Sequence, residues 1–89
     1  MKLIYCSDCE DIVRLYPGRP RQCGCGRSWG RYTTSLQAEY GGSAYPIGFN
    51  NESLVSSLSR QPEEGTGERF EAFVIPKNCP TMIRKKERP

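Results

Sequence analysis

Four of the five cysteines lie in two close pairs within the first 25 residues, Cys6 with Cys9 and Cys23 with Cys25. Two cysteines two or three positions apart in a tight turn can direct both sulfur atoms to one metal ion. A second such turn completes a tetrahedral shell of four thiolates. This set of ligands is typical of a structural zinc site, so we expect Cys6, Cys9, Cys23 and Cys25 to hold one Zn²⁺.

The spacing of these cysteines leaves other chemistry open. The second pair has a single residue between its cysteines, and the thirteen residues between the pairs are slightly fewer than in the commonest zinc motifs. Iron in a rubredoxin-like site uses the same four thiolates, and a disulfide or a thiol redox reaction would use fewer of them. A catalytic zinc is not expected, because such sites keep one open position and often use histidine, and the chain has no histidine.

The chain is short and has few large apolar side chains. Of its 89 residues, only 16 are Leu, Ile, Val or Phe, so its core must be small and needs a staple. We expect one zinc-stapled domain over residues 1–84, with a zinc ribbon at 1–31, a sheet plus helix at 32–84 and a basic tail at 85–89. Without metal, the N-terminal third is expected to unfold. The fifth cysteine, Cys79, is expected to be a small buried hydrophobe.

Alternating and apolar runs predict six strands separated by turn-forming residues. The predicted strands span residues 2–5, 11–16, 32–40, 44–49, 70–75 and 81–84. Gly41 and Gly42 are expected to close a two-residue hairpin between the third and fourth strands. The near-continuous apolar run at 70–75 predicts a central strand that is buried on both faces.

One helix of nine or ten residues is predicted after the fourth strand. Asn50 or Asn51 is a favourable N-cap residue. Leu54, Val55 and Leu58 share one face of this helix. Because so short a helix is not stable alone, we expect this apolar face to pack on the sheet.

Two further stretches limit the arrangement of the strands. Residues 27–31 are expected to form a polar connector, and Pro46 should confine its strand to a sheet edge or a bulge. Together these features predict an α+β fold, in which an N-terminal Cys₄ zinc ribbon continues into a small antiparallel sheet with one short helix.

Charge is distributed unevenly along this chain of net charge +3. Residues 1–31 hold six basic and three acidic side chains, residues 61–76 hold one and four, and residues 77–89 hold five and one. Arginine is suited to phosphate contacts and aromatic rings stack on bases, so the first stretch could contact nucleic acid. The candidate contact residues are Arg14, Arg19, Arg21, Arg27, Trp29 and Arg31. A solvated loop that keeps the protein soluble is the simpler interpretation.

Catalytic patterns and targeting segments are not found in the sequence. There are no paired carboxylates in a predicted cleft, no glycine-rich phosphate loop and no nucleophile elbow, so we expect neither an enzyme nor a small-molecule substrate. No apolar run approaches the roughly 20 residues of a membrane span, and no secretory signal is recognisable. A cytoplasmic location is therefore expected.

The cysteine turns, CSDC and CGCG, resemble those of the zinc-ribbon and rubredoxin-like superfamily over about the first 30 residues. The remainder, with YPIGF, ESLVSSL and FVIPKNCPT, looks like small bacterial or phage-encoded zinc-binding proteins of uncharacterised function. This resemblance implies an intracellular setting and Cys6, Cys9, Cys23 and Cys25 as zinc ligands. It implies no active site.

Three functional hypotheses follow. The leading one is a non-enzymatic zinc-binding module that docks on another protein as a small regulator or inhibitor, with the apolar stretch Tyr45–Phe49 as its best docking patch if exposed. The alternative is a nucleic-acid-binding zinc-ribbon protein that uses the arginine cluster. The third is a redox-responsive protein whose thiolates release zinc on oxidation.

Overall fold

The structure, a computed structural model, describes residues 1–88. Eight strands and one helix lie within these residues. In chain order they are β1 (Lys2–Cys6), β2 (Ile12–Arg14), β3 (Arg21–Gln22), β4 (Ser28–Tyr32), β5 (Ala38–Gly42), β6 (Ala44–Phe49), α1 (Asn51–Ser59), β7 (Ala72–Val74) and β8 (Met82–Arg84). Pro89, the last residue of the predicted basic tail, lies outside the described residues.

The strands form two four-stranded sheets. The first sheet has the order β2-β1-β6-β7, and the second has the order β3-β4-β5-β8. Every neighbouring pair is antiparallel except β5 and β8, which run parallel. The predicted α+β fold with one short helix is confirmed. The polar connector expected at residues 27–31 is instead strand β4, which pairs with both β3 and β5.

A small apolar core lies between the two sheets. Alternate residues of β1 and β5 point inward, and the second cysteine turn contributes the buried Cys23. The strand residues of this core are Ile4, Cys6, Val13 and Ala44 from the first sheet and Ala38, Tyr40 and Met82 from the second. Cys6, a candidate metal ligand, is the last residue of β1 and is buried in this core. The cysteine turns and the core are therefore parts of one structure.

The predicted hairpin at Gly41 and Gly42 is wrong, because β5 and β6 belong to different sheets and only Ser43 separates them. The two glycines serve close packing. A Cβ atom on Gly41 would lie 2.6 Å from the carbonyl oxygen of Lys85 and from the Trp29 ring nitrogen. A Cβ atom on Gly42 would lie 1.8 Å from the carbonyl oxygen of Arg27.

The strand predicted at residues 70–75 exists, but its central position is wrong. β7 has three residues and forms one edge of the first sheet. The Phe73 and Val74 side chains are 54% and 70% exposed. Apolar composition indicated burial, yet only β6 lies beside this strand.

Pro46 lies in β6, which is an inner strand of the first sheet and not an edge. Its carbonyl oxygen accepts a hydrogen bond of 2.9 Å from the Ile75 N–H, on the side of β7. Proline has no N–H to return the second bond of the antiparallel pair. The ladder between β6 and β7 therefore ends at Val74. Pro46 limits hydrogen bonding only on the side of β6 that faces β7, and the pairing with β1 on the other side continues.

The helix forms where it is predicted. The Asn50 side chain caps it by accepting a 3.0 Å hydrogen bond from the Ser53 N–H. The expected packing of its apolar face is wrong, because Val55 and Leu58 are each 63% exposed. Polar contacts hold the helix instead: the Ser53 hydroxyl accepts a 2.7 Å hydrogen bond from the N–H of Glu71.

Candidate metal centre

The first cysteine turn continues from the end of β1. The Cys6 N–H donates to the Asp11 carbonyl oxygen at 2.9 Å, and the Glu10 N–H donates to the Cys6 carbonyl oxygen at 2.8 Å. These bonds close the turn and place Cys9 beside Cys6. Glu10 has a φ of +61°, a left-handed conformation that costs a residue with a Cβ about 1–2 kcal/mol.

The second cysteine turn follows β3 and has a similar design. The Gly26 N–H donates to the Cys23 carbonyl oxygen at 3.1 Å, and Gly26 has a φ of +77°. Glycine adopts this conformation without a steric penalty. The two turns are joined directly, because the Gly24 N–H donates to a carboxylate oxygen of Asp11 at 2.9 Å.

The four sulfur atoms converge at one point. The Sγ atoms of Cys6, Cys9, Cys23 and Cys25 all lie within 4.8 Å of one another. Cys25 Sγ is 3.7 Å from Cys6 Sγ and 3.5 Å from Cys23 Sγ. A tetrahedron with metal–sulfur bonds of about 2.3 Å has sulfur–sulfur distances of about 3.8 Å. The four cysteines could therefore hold a metal ion, and the two distances from Cys25 are close to the tetrahedral value.

Ser28 supplies two polar groups to this cluster. Its N–H donates to Cys23 Sγ at 3.3 Å. Its hydroxyl is buried without a partner of good hydrogen-bond geometry, and its proximity to Cys6 lowers the pKa of that thiol. Thiolates accept such hydrogen bonds, and metal ligation requires thiolates. The surroundings of the four sulfurs thus fit a bound cation.

The four thiols influence each other's protonation. Burial acts to raise the pKa of Cys23. Hydrogen bonds from the Ser28 N–H and the neighbouring thiols outweigh this effect and lower the pKa to about 6. The Arg27 N–H lowers the pKa of Cys25, but burial and the other three cysteines raise it to about 12. Neighbouring thiolates repel one another, so all four can ionise together only with a cation among them.

Cys79 lies apart from this cluster. It is partly buried against the core, and its sulfur lies 3.4 Å from the Thr81 hydroxyl. The burial predicted for Cys79 is therefore only partial.

The predicted nucleic-acid residues do not form one surface. Trp29 is 3% exposed, so its ring has no free face for a base. Arg31 forms a 2.8 Å ion pair with Glu39. Arg27 lies beside the metal turns, 4.0 Å from the Asp8 carboxylate.

Two of the remaining arginines share an aromatic partner. The guanidinium carbons of Arg14 and Arg21 lie 5.1 and 4.8 Å from the ring centroid of Tyr16, and Arg19 is exposed in the turn between them. The prediction did not include Tyr16. The spacing contained a signal, because residues two apart in an extended segment point to the same side, which places Arg14 beside Tyr16.

No protein-family model, curated protein or solved structure matches this chain. The four clustered cysteines are consistent with a zinc-binding site, and no family match assigns the chain to the zinc-ribbon superfamily. Among residues 1–88, no helix is both long enough and apolar enough to cross a membrane.

The left-handed residues of the two cysteine turns predict opposite effects on stability. Gly26→Ala should lower the free energy of unfolding of the metal-loaded protein by about 1–2 kcal/mol, because alanine is strained at this φ. Glu10→Gly should raise it by about 0.5 kcal/mol, since the relief of strain exceeds the entropy that glycine adds to the unfolded chain. Urea unfolding measures both. Equal losses in the two variants would contradict this prediction.

Proposed function

We propose that this chain is a non-enzymatic, zinc-stabilised interaction module that docks on another protein as a small regulator or inhibitor. Four thiolates would fill the coordination shell of the zinc ion and leave no position for water or substrate, which supports a structural role. Thiolate ligands must stay reduced, so a reducing compartment such as the cytoplasm is part of the proposal.

The observation that carries the proposal is the exposed side of the first sheet, turned away from the core. Since Ile4 and Val13 point inward, their neighbours in each strand point to the opposite side. We call this side the outer face. Its residues are Leu3, Tyr5, Ile12, Arg14, Tyr45, Ile47, Phe49, Ala72 and Val74, of which Leu3 is buried.

The outer face forms two adjoining apolar rows across the strands. In one row Ile12 lies opposite Tyr5, and Tyr5 lies opposite Tyr45. In the next row Ile47 lies between the buried Leu3 and Val74, and Arg14 ends this row beside Leu3. Ile12, Tyr45 and Val74 are each more than half exposed. A contiguous apolar surface of this kind is typical of a protein-interaction site.

The free edge of β7 adds main-chain hydrogen-bonding groups to this surface. The Glu71 carbonyl oxygen and the Ile75 N–H bond towards β6. In an antiparallel ladder the intervening residues, Ala72 and Val74, therefore direct their N–H and C=O groups away from β6. An extended segment of a partner could continue the sheet at this edge.

Charge indicates the chemistry of the partner segment. Residues 61–76, which include β7, hold four acidic side chains and one basic one. Glu71 lies directly before β7, where the Asn50 side-chain amide donates to its carboxylate at 3.2 Å. We therefore propose a partner with an extended apolar segment flanked by basic residues.

Val74→Asp is expected to weaken partner binding roughly tenfold or more, because it introduces a charge into the apolar row. Partners would be captured from lysate with nuclease present, and the affinity for the purified partner would then be measured. Leu36→Asp is the matched control, since Leu36 is as exposed as Val74, at 72%, but lies outside the outer face. Capture that is lost with nuclease, or equal effects of the two variants, would contradict the proposal.

Nucleic acid is the second candidate partner. The observation that favours it is the pair of guanidinium groups on the Tyr16 ring. Among residues 1–88, no carboxylate lies within ion-pair distance of Arg14 or Arg21. Their charges therefore remain available for phosphate groups, in contrast to that of Arg31.

A further inference from the structure

An open groove of about 780 Å³ lies at the end of β1 opposite the cysteine turns. Lys2 in the groove and Cys6 lie at opposite ends of β1, four residue steps of about 3.3 Å apart, so the groove and the metal centre are distinct sites. Its walls include Lys2, Arg14, Tyr16, Tyr32, Thr33 and Thr34. The lining contains basic residues and hydroxyl groups, and within the described residues it contains no acidic side chain.

Tyr16 forms one wall of the groove as a fixed aromatic surface. Arg14 and Arg21 both lie against its ring, within 5.1 Å of the centroid. Such cation–π contacts restrict the motion of the ring and the two guanidinium groups together. The Tyr16 side chain is 41% exposed, so part of this surface is open to a ligand.

Tyr32 and Lys2 form a second aromatic and cationic pair in the groove. The Tyr32 hydroxyl accepts a 3.0 Å hydrogen bond from the Lys2 N–H, and the Lys2 ammonium lies 5.6 Å from the Tyr32 ring centroid. The ammonium donates to the carbonyl oxygens of Leu36 and Thr81. One of its three N–H bonds is left for a ligand.

The loop after β4 has a defined conformation before any ligand binds. The Thr34 hydroxyl oxygen accepts hydrogen bonds from the N–H groups of Leu36 and Gln37, at 3.2 and 2.9 Å. The Thr33 hydroxyl donates to the Gln37 carbonyl oxygen at 3.3 Å. The Thr34 hydroxyl hydrogen remains available as a donor to an anionic oxygen.

Aromatic rings, unpaired guanidinium groups and a hydroxyl donor, without carboxylates, match a ligand that combines planar bases with phosphates. We infer that the groove binds a nucleotide unit of single-stranded nucleic acid, with a base against Tyr16 and phosphates at Arg14 and Arg21. A strand is favoured over a free nucleotide because Arg19 and Arg21 extend the positive charge beyond the groove. This inference rests on the second candidate function and gives it a site.

The test is the fluorescence anisotropy of a labelled eight-nucleotide single-stranded DNA with the metal-loaded protein, at two salt concentrations. Tyr16→Leu keeps the apolar bulk but removes the ring, so it should weaken binding roughly tenfold. Tyr45→Leu is the matched control, because Tyr45 is an exposed tyrosine, at 56%, in the outer face. Arg14→Gln should reduce the salt dependence of binding by about one phosphate contact. Circular dichroism and metal content establish that each variant is folded.

Three competitors separate the ligand classes. An abasic strand of equal length should bind more weakly than the DNA, and a mononucleotide or a glutamate peptide of equal charge should compete poorly. Equal competition by the mononucleotide would overturn the preference for a strand, and equal competition by the peptide would reduce the groove to a charged surface. Binding that Tyr16→Leu leaves unchanged would overturn this site while keeping nucleic acid as a partner. If the wild-type protein binds no oligonucleotide, the second candidate function fails as well.

Discussion

Removal of the metal ion is expected to unfold both sheets, not only residues 1–31. Cys6 ends β1, which pairs with β2 and β6, and Cys6 and Cys23 are buried in the core shared with the second sheet. Structural zinc supplies about 10–16 kcal/mol of apparent binding energy in small peptides, which matches or exceeds the total stability of a typical domain, about 5–15 kcal/mol. From the sequence, unfolding of the N-terminal third is expected; the shared core extends this expectation to both sheets.

Metal analysis should find one zinc ion per chain after expression in zinc-containing medium. Chelation or Cys6→Ser should then abolish the amide hydrogen-exchange protection of β5 and β6 together with that of β1, and added zinc should restore the chelated protein. Cys79→Ser is the matched control, because Cys79 lies apart from the metal cluster, and it should retain the metal. Less than half an equivalent of zinc, or protected strands in the metal-free protein, would contradict this prediction.

The features that depend on neighbouring residues in the sequence could be predicted. The spacing of the cysteines determines which sulfur atoms can meet, and the four predicted atoms lie within 4.8 Å of one another. Asn50 and the residues after it define the helix start in the same local way. Metal identity is different, since zinc and iron accept the same four thiolates.

Pairing between distant strands could not be predicted in the same way. β5 and β6 are separated by one residue, yet they belong to different sheets. The contact that requires glycine at position 42 is with the carbonyl group of Arg27, fifteen positions away in the sequence. The apolar run at β7 has the composition of a buried strand, but Val74 is exposed. Composition measures how favourable burial would be, and it does not specify whether the covering surface belongs to this chain or to a partner.

Gly42→Ala is expected to lower the free energy of unfolding by about 3 kcal/mol or more, because two penalties coincide. Gly42 has a φ of +77°, and a Cβ atom there would lie 1.8 Å from the Arg27 carbonyl oxygen. That oxygen cannot move away freely, since it accepts a 3.0 Å hydrogen bond from the Ser43 N–H. Arg27 follows the second cysteine turn, so weaker retention of the metal ion should accompany the loss of stability.

Gly65→Ala separates these two penalties. Gly65 has a φ of +83°, but no atom lies within 4 Å of the position that its Cβ atom would take. Alanine there should cost only the strain of the left-handed backbone, about 1 kcal/mol. Urea unfolding of the two metal-loaded variants measures the difference. Equal losses would mean that strain alone accounts for Gly42 and that the Arg27 carbonyl group can move; a larger loss at Gly42 would establish that close contact between the cysteine turn and β5 requires glycine at this position.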